Sequence, residues 1–162
     1  MADFEIPRDD KGEVLPHDHP NFGPGQTLIR RIADTSHWIV DDQNRNCRRL
    51  SSAVYKYNDP TNHLSCDSPV CIEALGHQPT AWVTSDFWVG SLTLPVDKLR
   101  EIQGATETHV GMVPLEDNAC HGGVWAKITS GRSNDMLRAS EWLVPIEGVA
   151  ISDQHDPHVA QG

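Results

Sequence analysis

Arg48-Arg49-Leu50-Ser51-Ser52-Ala53-Val54-Tyr55-Lys56-Tyr57 is the stretch on which the reading of the fold turns. With the two-residue period of a strand, Leu50, Ser52 and Val54 share one face, and Arg49, Ser51, Ala53, Tyr55 and Tyr57 share the other. The first face is mostly apolar. The second offers a guanidinium, a hydroxyl and two phenols, groups that fork onto an oxyanion or exchange hydrogen bonds with a sugar. The same alternation also describes a strand whose polar side simply faces water.

Outward from that strand, short apolar runs alternate with turn-rich loops. Upstream, Leu28-Ile29-Arg30-Arg31-Ile32 reads as a first strand, on which adjacent arginines point to opposite faces. If Arg30 shares the side of Leu28 and Ile32, it needs an acidic partner or a bound anion, because an unpaired buried charge is prohibitive. Residues 37–40 form a second strand and residues 41–46 a polar loop. Downstream, residues 58–62 are a polar loop and residues 63–66 a short strand. Asp67 or Ser68 caps a helix with Pro69 in its first turn and Gly76 as its stop. Residues 81–94 have strand character with a bend or bulge around Asp86 and Gly90. Thr93 caps a second helix in which Val96, Leu99 and Ile102 recur before Gly104. Strands at 109–113, 124–128 and 142–146 follow, the last able to continue to 151, with a short helix capped by Ser133 between the second and third.

Mostly strands, with two or three short helices and no regular βα alternation, predict an α+β fold around a mixed or antiparallel sheet. No fixed-period repeat marks a solenoid or propeller. The 162 residues suit one domain, over 27–151. Pro7, Gly12, Pro16, Pro20, Gly23, Pro24 and Gly25 predict a flexible arm over 1–26, and a flexible tail covers 152–162. The net charge of −10 disfavours non-specific nucleic-acid or anionic-membrane binding. No apolar run spans a bilayer and the first residues lack an apolar signal core, so a cytoplasmic protein is expected. Four cysteines are too sparse for a secreted scaffold, and reduced thiols are expected.

Nine histidines and four cysteines invite a metal. His63-x-x-Cys66-x-x-x-x-Cys71, with Cys120-His121 in reserve, lacks the paired knuckles of a zinc site, and His17-Asp18-His19 sits in the arm with nothing to fix its geometry. No metal and no particular cofactor is assigned. Nucleophile elbows and phosphate-cradling loops are absent. The more informative segment is Pro114-Leu115-Glu116-Asp117-Asn118-Ala119-Cys120-His121-Gly122-Gly123. There an imidazole at the mouth of a strand, with Asn118 three residues before it, can serve as a general base; the plainer alternative is a turn closed by Asn118.

The R-R-I start, Arg49-Leu50-Ser51-Ser52-Ala53-Val54-Tyr55, Leu64-Ser65-Cys66-Asp67 and Asn118-Ala119-Cys120-His121 resemble, in order, a set of small bacterial proteins with R-R-I, S-S-A-F, L-S-V and N-P-A-H segments and no assigned activity. Tyr55 stands for the Phe, Cys66 for the Val and Ala119 for the Pro. A more distant similarity is to ADP-ribosyltransferase-like toxin domains. It implies Arg31 on a nucleotide phosphate, Ser51 or Ser52 on a ribose and Tyr55 stacked on nicotinamide; the acids that follow, Glu73 and Glu116, do not match the catalytic position.

The expectation is a small-anion or nucleotide-binding pocket. Arg31 and Arg49 would hold the anion, Ser52, Tyr55 and Asn118 would complete the binding set, and Ser51 and His121 would be catalytic, in a nucleotide-acting enzyme of a bacterial toxin or defence module. The alternative is a non-catalytic acidic interaction protein, an antidote or accessory subunit. It would use its charge on a basic protein partner and anchor through exposed tryptophans among Trp38, Trp82, Trp88, Trp125 and Trp142.

Overall fold

A computed structural model describes residues 4–56, 63–105 and 107–153. Tyr57, the loop at 58–62 and the tail beyond Asp153 lie outside the described residues.

The fold is α+β. Among the described residues, nine strands and four short α-helices follow in the order β1 (Thr27–Ala33), β2 (Ile39–Asp42), β3 (Cys47–Leu50), β4 (Leu64–Asp67), α1 (Pro69–Ala74), α2 (Pro79–Trp82), β5 (Trp88–Pro95), α3 (Val96–Gln103), β6 (His109–Met112), β7 (His121–Trp125), α4 (Ser130–Arg138), β8 (Glu141–Val144) and β9 (Val149–Ala150). Six strands form an antiparallel sheet in the order β6-β7-β4-β1-β5-β8. A second, mixed sheet has the order β2-β3-β9, with β3 and β9 parallel.

Strand β1 sorts the core by alternation. Leu28 and Ile32 are fully buried in one cluster with Leu92, Leu94, Leu99, Met136 and Leu137, under α3 and α4. Ile29 is fully buried on the opposite side with Ile72, Val83 and Cys120, under α1 and α2. A central sheet covered on both faces explains why neighbouring residues of opposite orientation, Leu28 and Ile29, are both fully buried.

Local chemistry accounts for the helix ends. Ser68 accepts the Cys71 amide at 3.1 Å as N-cap of α1, with Pro69 in the first turn. The expected capping by Thr93 is corrected: Thr93 pairs with Ile29 inside β5, which runs on to Pro95 opposite Thr27, and α3 begins directly after it. Thr129, not Ser133, caps α4, and the buried Ser133 hydroxyl donates to the Ser52 carbonyl. Ala81 and Trp82, expected in a strand, lie in α2, which Pro79 opens.

The expected strand over 48–57 ends at Leu50. Ser51 then accepts the Ala53 amide at 3.2 Å and starts a 3-10 turn over Ser52–Tyr55. That turn buries Val54 and Tyr55 completely and breaks the two-residue alternation, so the polar row predicted there does not exist as one face.

Within the arm expected over 1–26, residues 17–22 lie against β6 and β7. Phe22 is fully buried, and His17 donates from Nδ1 to the Leu15 carbonyl at 2.9 Å and accepts the Met112 amide on Nε2 at 3.2 Å. Glycine makes this approach possible: a Cβ on Gly111 would sit 2.5 Å from the His17 ring, and one on Gly122 would sit 2.8 Å from Phe22. Asp18 accepts from Arg100 at 2.7 Å, from the Val110 amide at 3.1 Å and from His109 at 3.1 Å. Burial works against the Asp18 charge, but those three donors hold its carboxyl below the usual carboxylate range.

Candidate functional site: a cleft in a split sheet

Between β1 and β4 the backbone ladder has a single paired position, Ile29 opposite Asp67. Beyond it the strands separate, and side chains span the gap that backbone hydrogen bonds leave open. The Arg30 guanidinium donates from Nε to the Val54 carbonyl and from Nη1 to the Ser65 carbonyl, both at 2.7 Å. Arg31 reaches across to Asp67 in a two-pronged pair, Nε to Oδ2 at 2.8 Å and Nη2 to Oδ1 at 3.1 Å. Neighbouring residues on a strand point to opposite faces, so a cleft within the sheet explains how both arginines reach one hollow.

That hollow is about 660 Å³ and is lined by Arg30, Arg31, Trp38, Ser65, Cys66, Asp67, Trp82, Trp88, Leu115, Asp117, Asn118 and His121. Its volume falls in the range of small-molecule sites. Trp38 stacks near Trp88, centroids 6.1 Å apart and rings 25° from parallel, and the Arg30 guanidinium lies 5.3 Å from the Trp38 ring centre. That cation–π contact is worth about 0.5–2 kcal/mol.

Asp67, buried at 3 % exposure, is the hub of the opposite wall. Besides Arg31 it accepts from Asn118 Nδ2 at 2.7 Å. The Asn118 oxygen in turn accepts from Trp82 Nε1 at 3.2 Å and from the Cys120 amide at 3.1 Å, which fixes the orientation of the amide. His121 donates from Nδ1 to the Val113 carbonyl at 2.9 Å. A carbonyl only accepts, so the neutral ring carries its proton on Nδ1 and leaves Nε2 as a base. The His63 ring stands edge-on, 6.1 Å away.

Burial, first, and the neighbouring Asp67 charge push the Cys66 thiol far above its ordinary value, with Arg30 opposing, so Cys66 is a neutral thiol at the floor of the cleft. Burial pulls the Arg30 guanidinium down, and Tyr55, Cys66 and Asp67 counter it. Arg30 nevertheless stays charged, as guanidinium groups do.

Cys71 and Cys120 form a disulfide, with Cα atoms 5.4 Å apart, which corrects the expectation of reduced thiols for this pair. It fastens α1 to the loop that carries Asn118 and His121. With Cys71 so committed, the sequence-level ligand set His63, Cys66 and Cys71 is broken up, and among the described residues no group of three or more potential ligands is placed to hold a metal.

Of the residues singled out in the sequence, Arg31, Asn118 and His121 line this cleft, and Arg49, Ser51, Ser52 and Tyr55 do not. Arg49 is in the smaller sheet, paired with Asp42 at 2.9 Å. Ser51 donates to the His37 carbonyl at 3.0 Å while capping its turn. Ser52 offers its carbonyl to Ser133. Tyr55 is fully buried and shares a 2.6 Å hydrogen bond with Ser140; burial pushes its phenol far above the ordinary range. His17 and His19 do not form a solvated pair: His17 is buried, and His19 accepts the Asn21 amide at 3.0 Å.

Asp67 reads in the sequence only as a possible cap, and Trp38, Trp82 and Trp88 only as interface anchors. The signal that pointed here was the rule that Arg30, facing the core, needs an acid or an anion. The chain matches no family model, no curated protein and no solved structure.

Proposed function

We propose that the cleft binds a small anionic ligand, with a nucleotide as the class that fits its size and indole walls. One observation carries the reading. Arg30 is a half-buried cation whose hydrogen bonds all go to neutral carbonyls, and no carboxylate touches it among the described residues. A charge so placed costs free energy until an anion meets it. Arg31 lends a further donor, since its bonds to Asp67 use only Nε and Nη2. The anion-holding role expected of Arg31 and Arg49 thus passes to Arg30 and Arg31.

In the enzymatic form of this reading, His121 Nε2 takes a proton from the bound molecule or from water, and Asn118 and Asp67 hold the wall against which it lies. The resemblances in the sequence support a nucleotide-acting member of a bacterial toxin or defence module. The Cys71–Cys120 disulfide favours an oxidising compartment over the cytoplasm, because a reducing one opens such bonds. No helix among the described residues is long and apolar enough to cross a membrane.

The test is ligand-dependent stabilisation. At a hundredfold excess over Kd a nucleotide should stabilise the protein by about 2.7 kcal/mol. Arg30→Gln, which removes the charge and leaves one amide nitrogen near the Nε position to donate to the Val54 carbonyl, should abolish that gain while circular dichroism stays native. An undiminished gain contradicts the reading. His121→Ala should remove any turnover without changing affinity.

A second reading has its own observation. Phe87 is 60 % exposed, in edge contact with Trp88, and Leu115 is 46 % exposed on the cleft lining, so apolar side chains stand at the cleft rim of a chain with net charge −10. A basic protein partner with an apolar anchor would suit that rim. Salt-sensitive co-purification of such a partner, lost in Phe87→Ser, would favour it over the small ligand.

A further inference from the structure

We infer that the cleft selects a flat ring system bearing a single negative charge and turns away polyphosphates, an inference that rests on the anion-site reading above. The charges around the hollow set the limit. Arg31 and Asp67 form a closed pair, so together they leave no net charge. Among the described residues that line the hollow, Arg30 is the guanidinium with no acid in contact, and Asp117, exposed on the lining loop, adds a negative charge near the mouth. One anionic group therefore finds compensation, and a second or third meets Asp117 and a molecule of net charge −10.

The ring requirement comes from the walls. Three indoles line the hollow: Trp38 and Trp88, near-parallel to each other, and Trp82, held in place by its bond to Asn118. Indole faces favour flat partners through offset stacking, and Arg30 already lies over one of them, so the charge and the ring of the ligand would be adjacent. Two sources share this chemistry: a nucleobase on a phosphodiester, and an aromatic carboxylate.

Calorimetric titration of the oxidised protein with 3′,5′-cyclic AMP, 2-naphthoate, adenosine, ATP and dimethyl phosphate separates the possibilities. At least one of the two ring monoanions should bind about tenfold or more tighter than adenosine, ATP and dimethyl phosphate, one decade corresponding to about 1.4 kcal/mol. Which of the two it is identifies the source. Asp117→Asn, a change on an exposed loop, should raise ATP affinity by a larger factor than that of the ring monoanion. ATP binding as tightly as the ring monoanions would overturn the charge limit and leave the anion site standing. Equal binding of dimethyl phosphate would overturn the ring requirement in the same way. No binding by any charged probe would remove the anion site and this inference together.

Discussion

Reduction of the Cys71–Cys120 bond gives the sharpest perturbation of the cleft. The bond closes a loop of 49 residues, which includes β5, α3 and β6. The chain-entropy relation for a loop of that length gives about 4 kcal/mol at 25 °C, a large share of the 5–15 kcal/mol by which a typical domain is stable. Urea unfolding with and without a dithiol reductant should therefore differ by about 4 kcal/mol, with a smaller local effect added where Cys120, completely buried beside Ile29, Ile72 and Val83, loses its tie. Hydrogen exchange should accelerate most at 115–121, where the Cys120 amide is held by Asn118 and the Asn118 amide by the Leu115 carbonyl. A thiol titration of the denatured, unreduced protein should count two free cysteines, Cys47 and Cys66. Four free thiols, or unfolding midpoints that coincide with and without reductant, would refute the reasoning.

Three further outcomes follow from the same geometry. Asp67→Asn leaves Arg31 without its buried counter-charge and should cost about 3–5 kcal/mol, read by urea unfolding, far more than Asp34→Asn, whose bridge to Arg48 is exposed and worth about 0–1 kcal/mol. His109 has its proton held by Glu107 first and by Asp18, against a cost of burial, so its pKa in the folded protein is raised. Its contribution is fully present below the unfolded value of about 6.5 and is lost as pH rises through the folded value. The stability difference between wild type and His109→Gln should thus be larger at pH 5.5 than at pH 8.5; comparing the two cancels His19, whose own pKa burial and His17 lower. Gly111→Ala should displace His17, seen as a fall in stability of at least about 1 kcal/mol, because a Cβ there collides with the His17 ring and backbone.

The parts of this architecture written locally were legible in the chain. The α+β class followed from short apolar runs, and α1 and the end of α3 followed from Ser68-Pro69, Gly76 and Gly104, whose backbones at φ +83° and +62° in the two glycines are the conformations that stop helices. Strand alternation put Arg30 on the side of Leu28 and Ile32, but in place of the expected acid or anion its described partners are the Val54 and Ser65 carbonyls. What failed depended on distant partners. The 48–57 row ended early because Val54 and Tyr55 gain more by burial beneath α4, where Tyr55 meets Ser140, than by continuing a strand. Composition alone made 1–26 look loose, since nothing local reveals that Gly111 and Gly122 leave room for His17 and Phe22. The splitting of β1 from β4 is a matter of register between strands 36 residues apart at the Arg31–Asp67 bridge, and neither it nor the pairing of Cys71 with Cys120 has a local signature.

The most direct measurement is a two-dimensional 15N NMR titration with 3′,5′-cyclic AMP, following arginine Nε–H and indole Nε1–H signals. Occupation of the split between β1 and β4 predicts saturable shifts of Arg30, Arg31, Trp38, Trp82 and Trp88 together with the amides of 65–67 and 118–121. Shifts confined to Arg49 and its Asp42 partner, or no saturable shift at Arg30 with this or any other anion, would contradict it.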